Sequence, residues 1–377
     1  MIGRIAISAC AAVFIALAVT GCWDNNNLVG QKIINGISLD ALEGGNIRGV
    51  VRALRLKSKG SGQFEVKDEL VQADGRSVIE VGTKLDSMLA GNIVGSKTHI
   101  LVIGEQLAKQ GIYPYLEPFY RSPRLYLGAK LLISEGKASD ILSFDKLERS
   151  PISFDILQML QGAARTTIIQ EQTLYTAWNK LFDVGRDTVV PLIKKKGTED
   201  LVTSGMGLFR GDKYTGFNVQ REDSTMLLLL MDKLGTQAIM NVKVESGAIS
   251  GDLVSGVVSY NIRKIKRRMR VSVDEASKEI VCVVKLEVYG ELTSSPFPPD
   301  ERHQDRISEA ISADLNDRAR SVMRLLLQAR CDALGVGNLV SASHRRFWKE
   351  LDWNEAYGQV DMQPEVVVHV IGTGVLK

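Results

Sequence analysis

The thiol of Cys22 is the side chain in this sequence whose position most clearly suggests chemistry. It lies in the stretch AVTGCWDNNN, residues 18–27, where an apolar N-terminal run ends and a polar chain begins. A cysteine at such a junction is either a small apolar residue at the end of a membrane helix or a nucleophile that becomes a covalent attachment point. The length of the apolar run favours one of these interpretations.

The apolar run has the length of an export signal. One basic residue, Arg4, precedes a mostly apolar run of 15 residues, Ile5 to Val19. A membrane-spanning helix needs about 20 apolar residues, whereas the core of a signal peptide has roughly 7–15. The residues directly before Cys22 are small or apolar, as cleavage requires, and they resemble the lipobox of bacterial lipoproteins, in which the cysteine is lipidated on sulfur. We therefore predict that residues 1–21 are a lipoprotein signal peptide and that Cys22 carries the lipid, with an uncleaved signal anchor as the alternative.

Such an anchor would hold the protein at a membrane without a transmembrane helix. One acyl chain gives marginal binding, whereas two or more chains, at about 0.8 kcal/mol per buried CH₂, bind firmly. The next most apolar stretch, TMLLLLM at residues 225–231, is far too short to span a bilayer and is predicted to be a buried helix. We expect a soluble body tethered to the outer face of a membrane.

The remaining cysteines and the histidines do not form a pattern typical of a metal site. After removal of the signal peptide and lipidation of Cys22, only Cys282 and Cys331 remain, and we expect two buried free thiols, with a disulfide between them as the alternative. The sequence has no CxxC motif and no Cys/His cluster. We therefore predict neither a metal site nor a cofactor.

Catalytic motifs are equally hard to find. The stretch GNIVGSKT, residues 91–98, resembles a phosphate-binding loop, but it has three residues between its glycines instead of four, and Ser96 comes before Lys97. A helix is expected before it and a strand after it, the reverse of the order that a P-loop needs. There is no HExxH and no GxSxG. The sequence predicts no catalytic residue, and we expect that the protein is not an enzyme.

One run of the chain, RKIKRRMR at residues 263–270, has six basic residues among eight. In a strand, strict alternation would put Arg263 and Arg267 on the inner face with Ile265 and Met269. The run is either a solvated sheet face or a contact for anionic lipid headgroups or an acidic partner, to which each basic residue near the surface would add about 1 kcal/mol. The candidate contact residues are Arg263, Lys264, Lys266, Arg267, Arg268 and Arg270. A net charge of only +3 for the whole chain argues against a nucleic-acid partner.

The elements that position these residues alternate between strands and helices. The stretches before and after EGGN, residues 43–46, predict a hairpin, and Asp74 is a candidate cap for the helix that follows. Residues 152–184 have a helical pattern, and residues 239–293 are mostly β. This order predicts an α+β fold of several domains, about three, each a mostly antiparallel sheet with packed helices. We expect domains at residues 22–196 and 197–377, the second with a subdivision near residue 245.

Several stretches together resemble the Ger(x)C family, the lipoprotein C subunits of bacterial spore germinant receptors. No single stretch is very specific, but their order and spacing from about residue 20 to the C-terminus are. They are GCWD (21–24), IINGISLD (33–40), GRSVIEVGTKLDSM (75–88), residues 98–142, GMGLFRGDKYTGF (205–217), LEVYGEL (286–292) and FWKELDW (347–353).

This resemblance implies a function in spore germination. It implies three mixed α+β domains, no catalytic activity, and a place on the outer surface of the spore inner membrane together with receptor A and B subunits. Two alternatives share the lipid anchor: a solute-binding protein that feeds a transporter, and an exported hydrolase. The first would need a two-lobed α/β architecture, and the second a cleft with converging titratable groups.

Overall fold

The computed structural model describes residues 31–60, 63–89, 92–123, 125–144, 151–197, 200–244, 256–295 and 301–372. The predicted signal peptide, Cys22 and the expected subdivision near residue 245 lie outside these ranges.

The first sheet begins with an antiparallel meander of three strands, of which the first is buried or half-buried along its whole length. The strands are β1 (Gln31–Ala41), β2 (Ile47–Gly60) and β3 (Gln63–Gly75). β1 pairs with β2 from Lys32 opposite Arg55 to Ala41 opposite Ile47, which is the hairpin that the sequence predicts. Gly36 lies at a bulge in β1, and a Cβ atom there would lie 2.4 Å from the hydroxyl oxygen of Ser153.

Parallel strands form the centre of this sheet, and helices connect them. The strands are β4 (Asn92–Val94), β5 (Ile100–Gly104), β6 (Lys130–Ser134) and β7 (Val189–Lys196). The helices are α1 (Val78–Met88), α2 (Glu105–Gln110), α3 (Tyr113–Arg121), α4 (Ala138–Leu142), α5 (Ile152–Arg165) and α6 (Leu174–Leu181). Every residue of β5 is buried, as is typical of a parallel strand covered on both faces.

Two antiparallel strands, β8 (Asp200–Arg210) and β9 (Lys213–Gln220), complete the first sheet. The strand order is β3-β2-β1-β5-β6-β7-β8-β9, and β4 pairs with the first residues of β1. Strands β1, β5, β6 and β7 all run in the same direction. We call the end of the sheet formed by the first residues of these four strands the amino edge.

The second sheet follows a buried helix, α7 (Arg221–Leu230). Its order is β10 (Ala238–Val244), β11 (Gly256–Asp274), β12 (Glu279–Ser294) and β13 (Asp361–Gly372), antiparallel except for the last pair. The helices between β12 and β13 are α8 (Glu301–Gln328), α9 (Val336–Ser343), α10 (Arg345–Glu350) and α11 (Trp353–Ala356).

One hydrophobic core connects the two sheets. The first sheet packs α1, α2, α3 and α6 against one face, with Leu101 and Leu116 among the buried residues. Its other face packs against α4, α5 and α7, and this core continues without interruption to the inner face of the second sheet and α8, through Leu228, Leu286 and Leu315. Helix α7 is therefore buried from Ser224 to Leu230, as predicted for TMLLLLM.

Side chains of α8 protect the free edge of β13. The Asn316 amide nitrogen donates to the Val366 carbonyl (2.9 Å), and the Asn316 amide oxygen accepts from the Val366 N–H (2.9 Å). The Ser312 hydroxyl accepts from the Val368 N–H (3.2 Å). An edge strand with unpaired N–H and C=O groups is a template for unwanted pairing, so these contacts block extension of the sheet.

The α+β class is confirmed, and three details differ from expectation. The first sheet is about half parallel, because helices cross over between β1, β5, β6 and β7. Ser77 caps α1 by accepting from the Glu80 N–H, whereas Asp74 pairs with Arg48. The predicted helix over 152–184 is two helices, because Thr167 has a φ of 58° and a capping box at Thr173 starts α6.

The expected domain boundary at 196/197 lies between β7 and β8. These two strands pair from Val189 opposite Leu208 to Lys196 opposite Asp200, so both sequence segments contribute to the first sheet. The described strands divide into sheets between β9 and β10 instead.

Candidate contact surfaces and a buried polar junction

The basic run of the sequence lies in β11, in the middle of the second sheet. Lys264, Lys266, Arg268 and Arg270 are exposed at alternate positions. We call these four residues the basic row. They project from the outer face of the sheet, because the opposite face packs against the core, and this is the arrangement that alternation predicts.

The other two basic residues of the run have different environments. A register shift between Ile262 and Lys264 turns Arg263 outward, where it is exposed and forms a 3.5 Å ion pair with Glu291. The prediction that Arg263 faces inward was wrong, because a bulge breaks strict alternation. Arg267 does face inward, and its guanidinium donates to the Leu334 carbonyl (3.2 Å), so it is not part of the outer face.

Neighbouring strands partly neutralise one end of the basic row. Glu287 of β12 lies 3.9 Å from the Lys266 amine, and the ring of Tyr289 lies 5.1 Å from the same amine. The Tyr289 hydroxyl donates to Glu287 (2.8 Å), which together with the nearby cations lowers the pKa of the Glu287 carboxyl despite some burial. Among the described residues, Arg268 and Arg270 have no ion pair within 4.0 Å, so this end of the row is free to bind an anion.

A second site, which the sequence did not predict, is a buried cluster that joins the loop before α9 to the first sheet. Its centre is the Asp332 carboxylate. One oxygen accepts the N–H groups of Gly335 and Val336 (2.8 Å each), and the other accepts those of Gly337 (2.7 Å) and the Trp353 indole (3.2 Å). Four donors therefore converge on one buried side chain at the start of α9.

Asp187, which precedes β7, links this cluster to the amino edge. One of its carboxylate oxygens accepts the N–H of Asp332 (2.8 Å), and the other accepts the N–H of Gly211 in the β8–β9 turn (2.8 Å). The Gly185 carbonyl accepts the Asn338 N–H (3.1 Å). We call the cluster around Asp187 and Asp332 the polar junction, because it connects residues more than 140 positions apart.

Burial dominates the titration of the polar junction. It raises the pKa of Asp332 to about 7, although the Gly337 and Val336 N–H groups and that of Gly335 favour the charged form. Burial likewise raises the pKa of Asp187. Hydrogen bonds from N–H groups normally favour a carboxylate, so the raised values show that the loss of hydration outweighs these donors.

The two remaining thiols lie near the polar junction, and their burial makes them unreactive. Cys282 and Cys331 are buried and free, which confirms the expectation of free thiols. Burial raises the pKa of Cys282 to about 12 and raises that of Cys331 well above its usual value. A protonated, buried thiol is a poor nucleophile, so neither residue is a catalytic candidate.

One cavity with a mostly apolar lining is a groove of about 490 Å³. It lies between β1 and β2 on one side and α1 and α3 on the other, with Ile37, Val51, Leu85 and Phe119 among its lining residues. Asp86 is the charged residue that lines it. Its volume is typical of a small-molecule site, of about 300–1,000 Å³, and Thr83, Asp86 and Ser122 are the polar side chains in a lining that is otherwise mostly apolar.

Two further findings concern metals and membranes. Within the described ranges, no group of three or more His, Cys, Asp or Glu side chains is placed to hold a metal ion. In the same part of the chain, no helix combines the length and apolar character needed to cross a bilayer. The ring centroids of His99 and Phe154 lie 4.7 Å apart, so the His99 ring packs within the fold.

Comparison with known proteins matches both halves of the chain to families of spore germination proteins. The family described as "Spore germination protein N-terminal domain" matches residues 24–195, and the family described as "Spore germination B3/GerAC like, C-terminal" matches residues 204–374. Together they cover most of the sequence, in the order in which the two segments occur.

Individual relatives and a solved structure agree with these matches. The chain is 22% identical to the putative spore germination protein YfkR of Bacillus subtilis, over 97% of this chain and 96% of that protein. It is 20% identical to spore germination protein GerQC of Bacillus cereus, over 97% and 99%. The crystal structure of the GerBC protein aligns with a TM-score of 0.55 at 15% identity, over 89% of this chain and 97% of that one, which shows a shared fold.

Proposed function

Because the chain belongs to the Ger(x)C family of spore germination proteins, we propose that it is the lipid-anchored C subunit of a nutrient germinant receptor. In this proposal it acts without catalysis, beside receptor A and B subunits, on the outer surface of the spore inner membrane. The observation that carries the proposal is the match of both family models, in order, along nearly the whole chain. A role in spore germination follows from the relatives themselves.

The position of Cys22 supports the lipid anchor. The N-terminal family match begins at residue 24, two positions after Cys22, so the predicted signal peptide lies entirely outside the matched domains. A diacylglyceryl group at Cys22 would then lie nine residues before Gln31, the first residue of β1. Two acyl chains exceed the threshold for stable binding, which one chain does not reach.

The test of the anchor is a cysteine substitution in the sporulating organism. Cys22→Ala should abolish acylation, detected by mass spectrometry of the N-terminus, and should impair nutrient-triggered germination. Cys10→Ala is the matched control, because that cysteine lies in the segment removed by cleavage and its variant should keep the lipid and germinate normally. An unmodified Cys22 thiol in the wild-type protein, or an intact leader peptide, would contradict the proposal.

We also propose the basic row as a contact for anionic lipid headgroups or for an acidic surface of a receptor subunit. Support comes from the free end of the row, where Arg268 and Arg270 have no ion pair within the described residues. Each exposed cation near an anionic membrane would add about 1 kcal/mol to binding.

Replacement of the whole row by glutamine should weaken crosslinking of this face to its neighbours in spores and slow germination. A charge-matched control replaces exposed cations on other surfaces, namely Lys67, Lys196, Lys213 and Arg324. Equal behaviour of the two quadruple variants would show that net charge, rather than this face, is responsible.

Direct solute binding is tested separately, by calorimetric titration of the mature chain with amino acids and sugars. The apolar lining of the 490 Å³ groove predicts no measurable heat for such polar solutes. Tight binding of one of them would favour a solute-binding protein instead.

A further inference from the structure

Helices α3 and α6 bring four aromatic side chains into one cluster. The Trp178 ring stacks between Tyr113, at 5.2 Å, and Tyr120, at 4.6 Å. Phe182 meets the Trp178 ring edge-on at 5.3 Å and the Tyr113 ring at 5.9 Å. These contacts order the rings before any partner binds, so little side-chain entropy remains to be lost on contact.

Much of this cluster and its surroundings is exposed. Phe182 is 59% exposed, Val184 is 72% exposed and Tyr175 is 53% exposed. Tyr113 and Tyr126 are exposed as well. We call Tyr113, Tyr126, Tyr175, Phe182 and Val184 the aromatic edge. Among the aromatic residues whose burial the structure describes, the remaining exposed side chain is Phe217, so the exposed rings of this set are concentrated at one place, which is typical of a contact site.

The strand connections place this cluster at the amino edge of the first sheet. Val184 precedes the start of β7 by five residues. The Tyr113 N–H donates to the Asp212 carboxylate (3.3 Å), and Asp212 lies in the β8–β9 turn beside the start of β7. The Tyr175 N–H donates to the carbonyl of Leu127, just before β6 (3.0 Å).

The chain segment that leads to Cys22 joins the body at the same edge. β1 begins at Gln31 and is parallel to β5, β6 and β7, so its first residue lies on the side where those strands begin. Three strand spacings, about 14 Å in all, separate β1 from β7. The eight residues from Trp23 to Gly30 can extend up to about 27 Å. A bilayer that holds Cys22 is therefore within reach of the aromatic edge.

Two of the charged groups beside the aromatic edge are engaged within the protein. Arg121 pairs with Glu117 on α3. The Asp183 carboxylate accepts from the Asn338 amide (3.1 Å). A surface rich in Tyr, Trp and Phe suits the headgroup region of a bilayer, where an amphipathic ring can contact both apolar chains and water.

We infer that the aromatic edge rests in the headgroup region of the membrane to which the protein is tethered. The inference rests on the lipid anchor proposed for Cys22, and it adds an orientation: the amino edge of the first sheet faces the bilayer. Tyr175, Phe182 and Val184 are the residues that enter the lipid, while Tyr113 and Tyr120 hold Trp178 behind them.

The first test measures vesicle binding without the lipid anchor. The mature chain, residues 22–377 with Cys22→Ala, contains every described element and is mixed with phosphatidylcholine vesicles at low and high salt. The triple variant Tyr175→Ser, Phe182→Ser, Val184→Ser should reduce the partition coefficient at least about tenfold, and the reduction should not depend on salt, because it reflects lost apolar burial. Phe217→Ser is the control, since that ring is exposed in the middle of β9, and it should bind like the parent chain.

Equal binding of the triple variant and the parent, or no vesicle binding of the parent, would overturn the inference. Thermal melts check that the substitutions, all at exposed positions, leave the fold intact. Loss of receptor-subunit binding with unchanged vesicle binding would assign the aromatic edge to a protein contact instead, which also overturns it. The chain in this test carries no lipid, so its result does not depend on acylation of Cys22. Acylation of Cys22 in the wild-type protein is tested separately, by mass spectrometry.

A second measurement uses the acylated protein in vesicles whose lipid acyl chains are brominated. Bromine quenches indole fluorescence at short range, so Trp178 should be quenched and Trp353, which is buried beside Asp332, should not. The measurement is made in a Trp23→Phe background, because the Trp23 indole lies next to the lipidated Cys22 and would be quenched in any orientation of the body. In that background the Trp178→Phe variant should lose most of the quenching. Quenching that persists in this variant would show that another surface lies on the membrane.

Discussion

The polar junction provides the sharpest test of the structure, through the substitution Asp332→Asn. Asparagine has nearly the same shape as aspartate, but it replaces one accepting oxygen by an N–H₂ group. The four N–H groups that converge on Asp332 then face one acceptor and one donor. In either orientation of the amide, two of the four donors lose their partner.

The expected cost follows from those two donors. Leaving a buried donor unsatisfied costs about 1–3 kcal/mol, so Asp332→Asn should lower the free energy of unfolding by about 2–5 kcal/mol. Removal of a buried charge offsets part of this cost, which favours the lower half of the range. The measurement is urea unfolding at pH 8, above the pKa of about 7 of Asp332, followed by circular dichroism and by intrinsic tryptophan fluorescence.

Asp352→Asn is the matched control. Asp352 also caps a helix, accepting the Asn354 N–H at 3.0 Å, but it is exposed and asparagine is an equally good cap there. The control should change the free energy of unfolding by less than about 0.5 kcal/mol. Hydrogen exchange at the Gly337 amide adds a local measurement, which should accelerate only in Asp332→Asn. If both variants unfold at the same urea concentration, the four hydrogen bonds do not stabilise the fold as argued here.

Three further predictions follow from buried groups. Between about pH 4 and pH 7 the unfolded chain releases the Asp332 proton, while the folded chain, in which Asp332 has a pKa of about 7, retains it. The free energy of unfolding should therefore fall as pH rises through this window, by up to about 1.4 kcal/mol per pH unit. Urea titrations at several pH values should show a smaller fall in Asp332→Asn. Cys282 and Cys331 should resist iodoacetamide in the native protein and react fully in urea, by intact mass; rapid native alkylation would contradict their burial. Leu228→Ala should cost about 2–5 kcal/mol of unfolding free energy, because this α7 side chain is buried where the cores of the two sheets meet, whereas Leu70→Ala, at an exposed position, should cost far less.

The regular parts of the fold could be predicted from local sequence patterns. The β1–β2 and β8–β9 hairpins, the buried helix α7 and the long helix α8 all have periodicities that a single segment reveals. The parallel centre of the first sheet could not be predicted in this way, because its strands pair across helices. The break between α5 and α6 was missed although Thr173 and Thr176 form a capping box, a signal present in the sequence.

The candidate sites likewise differ in how far the sequence predicts them. The exposed basic row follows from alternation within one strand, but the outward turn of Arg263 depends on a bulge that alternation does not reveal. The polar junction needs Asp187 and Asp332 to meet across 145 positions, and apart from the Trp353 indole its donors are backbone N–H groups that have no sequence signature. The aromatic edge likewise combines residues of several segments, whose shared location depends on strand order.

The pairing of β7 with β8 has a consequence for anyone who divides this protein. Dividing the chain at 196/197 follows the family boundaries, yet it would separate β8 and β9 from the rest of the first sheet. It would also expose the apolar surface that α7 and the second sheet cover. Each fragment would expose an unpaired strand edge and apolar core residues, and we expect each to aggregate. Chimeras between relatives should therefore exchange the whole folded body, or join after β9, where one sheet has ended and the next has not begun.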